Sequence, residues 1–109
     1  MPAPERRAYG IVMTSYSKAV VGRRIAETLL GENLAACVQI LPIQSFYTWK
    51  GKTVKSRERL MLIKARRSDY GKIERLIQGI HDYEVPEIIL VDIEKGSKAY
   101  LGWLSDSTR

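Results

Sequence analysis

Two periods of apolar residues run through this chain, one of strands and one of helices. Tyr9 to Thr14 is a short apolar segment and predicts a strand. Ser17 is placed to cap a helix whose apolar stripe runs Val21, Ile25 and Leu29, with Ala26 and Leu30 beside it and Gly31 as a stop. The apolar stretch from Leu34 to Trp49 is longer than an ordinary strand, and Pro42 inside it fits a bulge or an edge. It predicts one bent strand whose far half projects beyond the domain. Lys50-Gly51 supplies a turn, and Arg57 to Ala65 returns as a strand. Ser68 opens a second helix, with Tyr70, Ile73, Ile77 and Ile80 three or four apart and Leu76 alongside. Ile88 to Ile93 is a continuous apolar run, which predicts a strand central in its sheet. Gly96 ends it, and Ser97 caps a short final helix carrying Tyr100, Trp103 and Leu104.

The order is β-α-β-β-α-β with a C-terminal helix. Two helices among four strands pack most simply on one face of an antiparallel sheet, the ferredoxin-like α+β arrangement. Residues 1–8 are expected to be loose and 9–109 to form one domain. The other face of the sheet is the difficulty for a single chain. Leu34, Ala36, Val38 and Ile40 alternate with Ala35, Cys37, Gln39 and Leu41, and neither set is polar enough to be simply wet. A projecting half-strand with Phe46, Tyr47 and Trp49 is also an edge that soluble proteins rarely leave bare. The pattern asks for a homo-oligomer.

Composition adds bounds. One cysteine excludes an internal disulfide framework, and no apolar run reaches the length of a membrane span. The opening Met1-Pro2-Ala3-Pro4-Glu5-Arg6-Arg7 lacks the apolar run of a signal peptide, so a cytoplasmic protein without membrane contact is expected. The net charge of +6 allows anionic partners, with Lys50, Lys52, Lys55, Arg57 and Arg59 as the densest basic block. A solvated hairpin and its flank is the simpler account of that block, because charged residues are the default at exposed positions. Nucleic acid is not the expected partner, because Arg59 to Lys64 lacks the base-stacking aromatics that an RNA-recognition sheet carries on its third strand. An enzyme is not expected either: there is no second histidine, phosphate-binding glycine loop or G-x-S-x-G element.

The densest chemistry is His81-Asp82-Tyr83-Glu84-Val85-Pro86-Glu87-Ile88, where a helical pattern gives way to a strand. Pro86 biases Val85 toward an extended conformation, so the segment has a shape that can aim side chains.

Five ordered blocks resemble the CutA family of divalent-cation tolerance proteins. They are Asn33 to Val38, Tyr47 to Lys52, Glu58 through Leu62-Ile63-Lys64, Tyr83 to Ile88, and Gly96-Ser97 with Tyr100 to Trp103. The resemblance implies a trimer of ferredoxin-like subunits, similar in architecture to the PII signalling proteins, whose long hairpins extend each sheet into a neighbour. It also implies a link to divalent metals, copper especially. Asp82, Ala65 and Gln39 depart from the residues usual in the family, and the first helix begins Ser17 to Val21 without its frequent acidic residues.

His81 and Cys37 are the candidate ligands for copper or another divalent transition metal, with Glu84 and Glu87 as oxygen donors. One chain cannot complete such a site, whereas a trimer brings three of each. The competing structural readings are a histidine satisfying helix-terminal carbonyls and a cysteine acting as a small hydrophobe. The resemblance also implies that a second set, Tyr47, Trp49, Glu58, Lys64 and Tyr83, with Glu87, gathers around clefts between subunits, which suits a small anionic ligand in a PII-like scaffold. Its aromatics are alternatively interface anchors, and Glu58 and Lys64 a salt bridge along one strand.

Overall fold

The computed structural model describes residues 8–109. Strand β1 (Tyr9–Tyr16) is followed by α1 (Ala19–Gly31), then β2 (Cys37–Trp49) and β3 (Lys52–Arg66). A 3-10 turn (Arg67–Asp69) leads into α2 (Tyr70–Ile80), and β4 (Ile88–Asp92) and α3 (Lys98–Ser107) complete the chain. The sheet is antiparallel with strand order β2-β3-β1-β4, as the element order predicts for the ferredoxin-like arrangement. The loose segment expected over residues 1–8 lies outside the described residues, save for Ala8, whose carbonyl accepts from the Arg67 amide at 2.9 Å.

One sheet face is buried by α1 and α2. Val12, Thr14 and Tyr16 of β1 and Met61, Ile63 and Ala65 of β3 meet Val21, Ile25 and Leu29 of α1 and Ile73 and Ile77 of α2. Both helical stripes read from the sequence are therefore the core stripes. Their ends differ from expectation. Lys18, not Ser17, occupies the N-cap of α1, and no side chain caps that end. The stop is Asn33 rather than Gly31: Asn33 takes φ +57°, and the Leu34 amide returns to the Leu29 carbonyl at 2.9 Å. Asparagine enters the left-handed region more readily than most residues, which lets the chain close this αL turn. That turn takes up Leu34 to Ala36, so β2 starts only at Cys37. Ser68 lies in the 3-10 turn ahead of α2, whereas Ser97 caps α3 as expected, its hydroxyl accepting from the Tyr100 amide at 3.2 Å.

Strand β4 is an edge, not the central strand that its apolar run predicted. Ile88 and Leu90 pack on the core, while Ile89 and Val91 point to the other face, each 46% exposed. A continuous apolar run here reflects two apolar faces, only one of which this chain covers. On that open face α3 covers one end, where Arg66 binds the last turn through the Ser105 carbonyl at 2.9 Å and the Thr108 hydroxyl at 3.0 Å. In the middle row, Ile89-Met13-Leu62-Gln39, the two outer residues are exposed and Met13 and Leu62 are half-buried.

Beyond β1 the hairpin continues as a two-stranded arm, Ile43 to Trp49 paired with Lys52 to Glu58. It closes through Lys50 (φ +52°) and Gly51 (φ +78°), the left-handed pair of a tight I′ turn. Pro42 lies on the edge strand, where a missing amide is tolerated. The arm stretches the molecule to 45 × 28 × 22 Å. A lone two-stranded ribbon is marginal in water.

Candidate functional site

The segment after α2 wraps the end of the sheet where β1 finishes. His81 is the first residue past α2, and its amide still donates to the Ile77 carbonyl at 2.8 Å. Its ring is fully buried. The Tyr83 amide donates to Nδ1 at 3.1 Å, so the proton belongs on Nε2, which donates to the Ser15 carbonyl at 2.8 Å. Both ring nitrogens are thus engaged, and a metal on His81 must displace one of these bonds. The Tyr83 ring packs on the imidazole with centroids 4.6 Å apart.

Ser15 is the meeting point. Its hydroxyl donates to Glu87 Oε1 at 3.4 Å while its carbonyl holds His81. Two of the four expected metal donors therefore flank one residue, and Glu84 and Glu87 are both exposed. The other expected ligand lies elsewhere. Cys37 pairs with Lys64 on the open face, four positions along β2 from Leu41, which shares Ser15's row. Among the described residues, no three of histidine, cysteine, aspartate and glutamate gather within the chain.

The cleft set divides as well. Glu58 is buried at 8% exposure and accepts from the Tyr83 phenol at 2.5 Å. Ser17 meets the same phenol oxygen at 2.5 Å, and because the phenol proton goes to Glu58, Ser17 is the donor. Ser17 thus serves the site rather than the helix, and with Ser15 it is the part that sequence reasoning missed. The available signal was a pair of hydroxyls flanking Tyr16 at the end of an apolar strand. Lys64 stands six positions up β3 from Glu58, about 20 Å along an extended strand, so no salt bridge joins them. Its ammonium instead lies 3.4 Å from the Tyr100 hydroxyl and over that ring. Trp49 sits at the arm's tip beneath the Lys50 ammonium, and Tyr47 is exposed two positions nearer the domain.

Tyr83 donates to the Glu58 carboxylate and Ser15 to that of Glu87, and among the described residues neither carboxylate forms an ion pair; the nearby Arg59 Nη1 donates to the Ser17 carbonyl at 3.5 Å. Burial, reinforced by the hydrogen bond to the Glu58 carboxylate, pushes the Tyr83 phenol up from 10.0 to about 12. The folded chain then holds a proton that the unfolded chain has lost between those values, so stability falls as pH rises through them. Tyr83 is partly exposed, so solvent screening reduces what the shift contributes, and the loss is on the order of 1 kcal/mol. In urea titrations the wild-type protein should weaken more steeply above pH 10 than Tyr83→Phe; parallel curves would remove Tyr83 as the responsible group. At neutral pH Tyr83→Phe should itself cost about 1–3 kcal/mol, because Glu58 loses its buried donor.

With this geometry in place, comparison with known proteins is informative. A family model described as CutA1 divalent ion tolerance protein matches residues 10–107. A divalent-cation tolerance protein CutA of Thermus thermophilus is 37% identical over 99 residues, 90% of this chain and 96% of that protein. A chloroplastic CutA 1 protein of Oryza sativa is 39% identical over 100 residues, 91% of this chain but 56% of the longer relative. The structure of the Archaeoglobus fulgidus protein, described as a periplasmic divalent cation tolerance protein CutA, superposes with a TM-score of 0.89 at 32% identity, covering 93% of this chain and 99% of that one.

Proposed function

Since the chain belongs to the CutA1 divalent ion tolerance family, we propose that it works as a homotrimer that binds a divalent transition metal, copper above the others, and takes part in the response to metal ions. It is a binding protein rather than an enzyme, and we assign it to the cytoplasm. The observation that carries the metal reading is the convergence of His81 and Glu87 on Ser15, beside carboxylates that no cation neutralises among the described residues. Imidazole and carboxylate together suit a first-row divalent ion, and the affinity order of such ions peaks at copper. Cys37 and Glu84 complete the donor set only by reaching a neighbouring chain, and the part-exposed row on the open face supports such neighbours.

The small-anion reading of the cleft has less support. Its cation, Lys64, belongs to the opposite end of the face, and the Glu58 end would repel an anion.

Calorimetric titration with Cu(II) tests the metal reading. His81→Ala and Glu87→Gln should each weaken binding by about tenfold or more, and Cys37→Ser by less. Ligands must be deprotonated to bind, so affinity should fall as the pH is lowered. Equal affinities for all three variants and the wild-type protein would refute the site, and so would equal affinity for magnesium.

A further inference from the structure

Alternation along the arm gives it two unlike sides. Register places Ile43, Ser45, Tyr47, Val54, Ser56 and Glu58 on the side continuous with the open face. The reverse side carries Lys55, Arg57 and Arg59 in a row on β3, with Gln44 and Phe46 paired across from Arg57 and Lys55. All three cations are exposed and none forms an ion pair among the described residues, Arg59 alone being tied, through Nη1, to the Ser17 carbonyl at 3.5 Å. Phe46, at 65% exposure, is the most exposed aromatic ring in the described chain, with the Lys55 ammonium 6.0 Å from its centroid.

A row of unneutralised cations beside a bare aromatic ring has a definite chemical complement. Alternate residues on a strand stand about 6.7 Å apart, close to the interval between successive phosphates of an extended polynucleotide. Ring and cations on one surface also match how proteins hold single strands without reading sequence: the cations follow the backbone while a base stacks on the ring. We propose that this reverse side of the β2–β3 arm, formed by Lys55, Arg57, Arg59 and Phe46, binds single-stranded nucleic acid. An anionic membrane fits less well. The cations run along the flank of the ribbon and not around its tip, and Trp49 belongs to the opposite side. The aromatic is invisible to a search of the third strand alone, because the neighbouring strand supplies it.

Anisotropy of a labelled, mixed-sequence RNA of about a dozen nucleotides, titrated with the full-length protein, tests this. Three phosphate contacts predict a log–log salt slope near −2, at about −0.7 for each contact on a single strand. Lys55→Glu combined with Arg57→Glu should lower affinity more than about tenfold and flatten that slope. Lys72→Glu combined with Lys98→Glu changes net charge equally at exposed positions elsewhere, and should cost no more than about threefold. Phe46→Ala should cost about tenfold with the slope unchanged. Melting and sedimentation of each variant establish that fold and assembly persist. Equal losses in the two charge-reversal pairs would reduce the effect to bulk charge and overturn the proposal. Binding to anionic vesicles with none to RNA would overturn it in favour of a membrane. Loss of assembly on reversing Lys55 and Arg57 would place this side between subunits and overturn it too.

Discussion

The Ile89→Glu variant should sediment as a folded single chain at micromolar concentration, where the wild-type protein should sediment as a trimer. In the single chain, Ile89 is 46% exposed on an edge strand, so a carboxylate there keeps its water and the fold loses little. Surface changes of this kind usually fall within about 0.5 kcal/mol. Inside an assembly the balance reverses. The row Ile89-Met13-Leu62-Gln39 offers no cation, so the carboxylate would be buried unpaired at a cost of about 3–5 kcal/mol. That weakens association by between two and four orders of magnitude. Circular dichroism should keep its native form while sedimentation changes. If wild type and variant sediment alike, as single chains or as trimers, the open face is not a subunit contact, and a donor set completed by a neighbouring chain loses its basis.

What could be read from the sequence follows from what each pattern encodes. Helical spacing fixed which side of α1 and α2 meets the sheet, and Val21, Ile25, Leu29, Ile73 and Ile77 are all buried. It did not fix the ends. The last turn of α1 depends on which residue accepts a left-handed backbone, and Asn33 does so where Gly31 was expected. Alternation in strands reports faces but not distance along them. Glu58 and Lys64 share the open face, but six residues of extended chain keep them from forming a salt bridge along the strand within one subunit. The apolar run of β4 reports cover on one face, which Ile88 and Leu90 have, but it does not place the strand in the middle of the sheet, since an edge strand with a second apolar face looks the same. The segment from His81 to Glu87 stood out because its groups are close in sequence. Ser15 and Ser17 reach it only through the fold, from 66 residues away in each case.

Those two serines flank Tyr16, and this makes a glycine on α1 matter to the site. Gly22→Ala should destabilise the protein by about 1–2 kcal/mol, although helix propensity alone predicts a gain of about 1 kcal/mol. A Cβ on Gly22 would overlap the far end of the Tyr16 ring, which is 2% exposed at the end of β1. The ring is packed within the core, and forced overpacking of this kind costs about 1–3 kcal/mol. Expelling the ring would forfeit comparable burial energy. Packing therefore outweighs propensity, and the melting temperature should drop by roughly 10 °C. A double-mutant cycle separates the two effects: in a Tyr16→Leu background the ring is gone, and Gly22→Ala should be neutral or stabilising. A second readout ties the packing to the chemistry. Moving Tyr16 shifts the Ser15 carbonyl that holds His81 and the Ser17 hydroxyl that donates to Tyr83, so Gly22→Ala should also weaken Cu(II) binding at temperatures where the variant remains folded. A variant that is less stable but binds copper as tightly as wild type would separate the metal site from this end of β1 and leave Gly22 with a packing role alone.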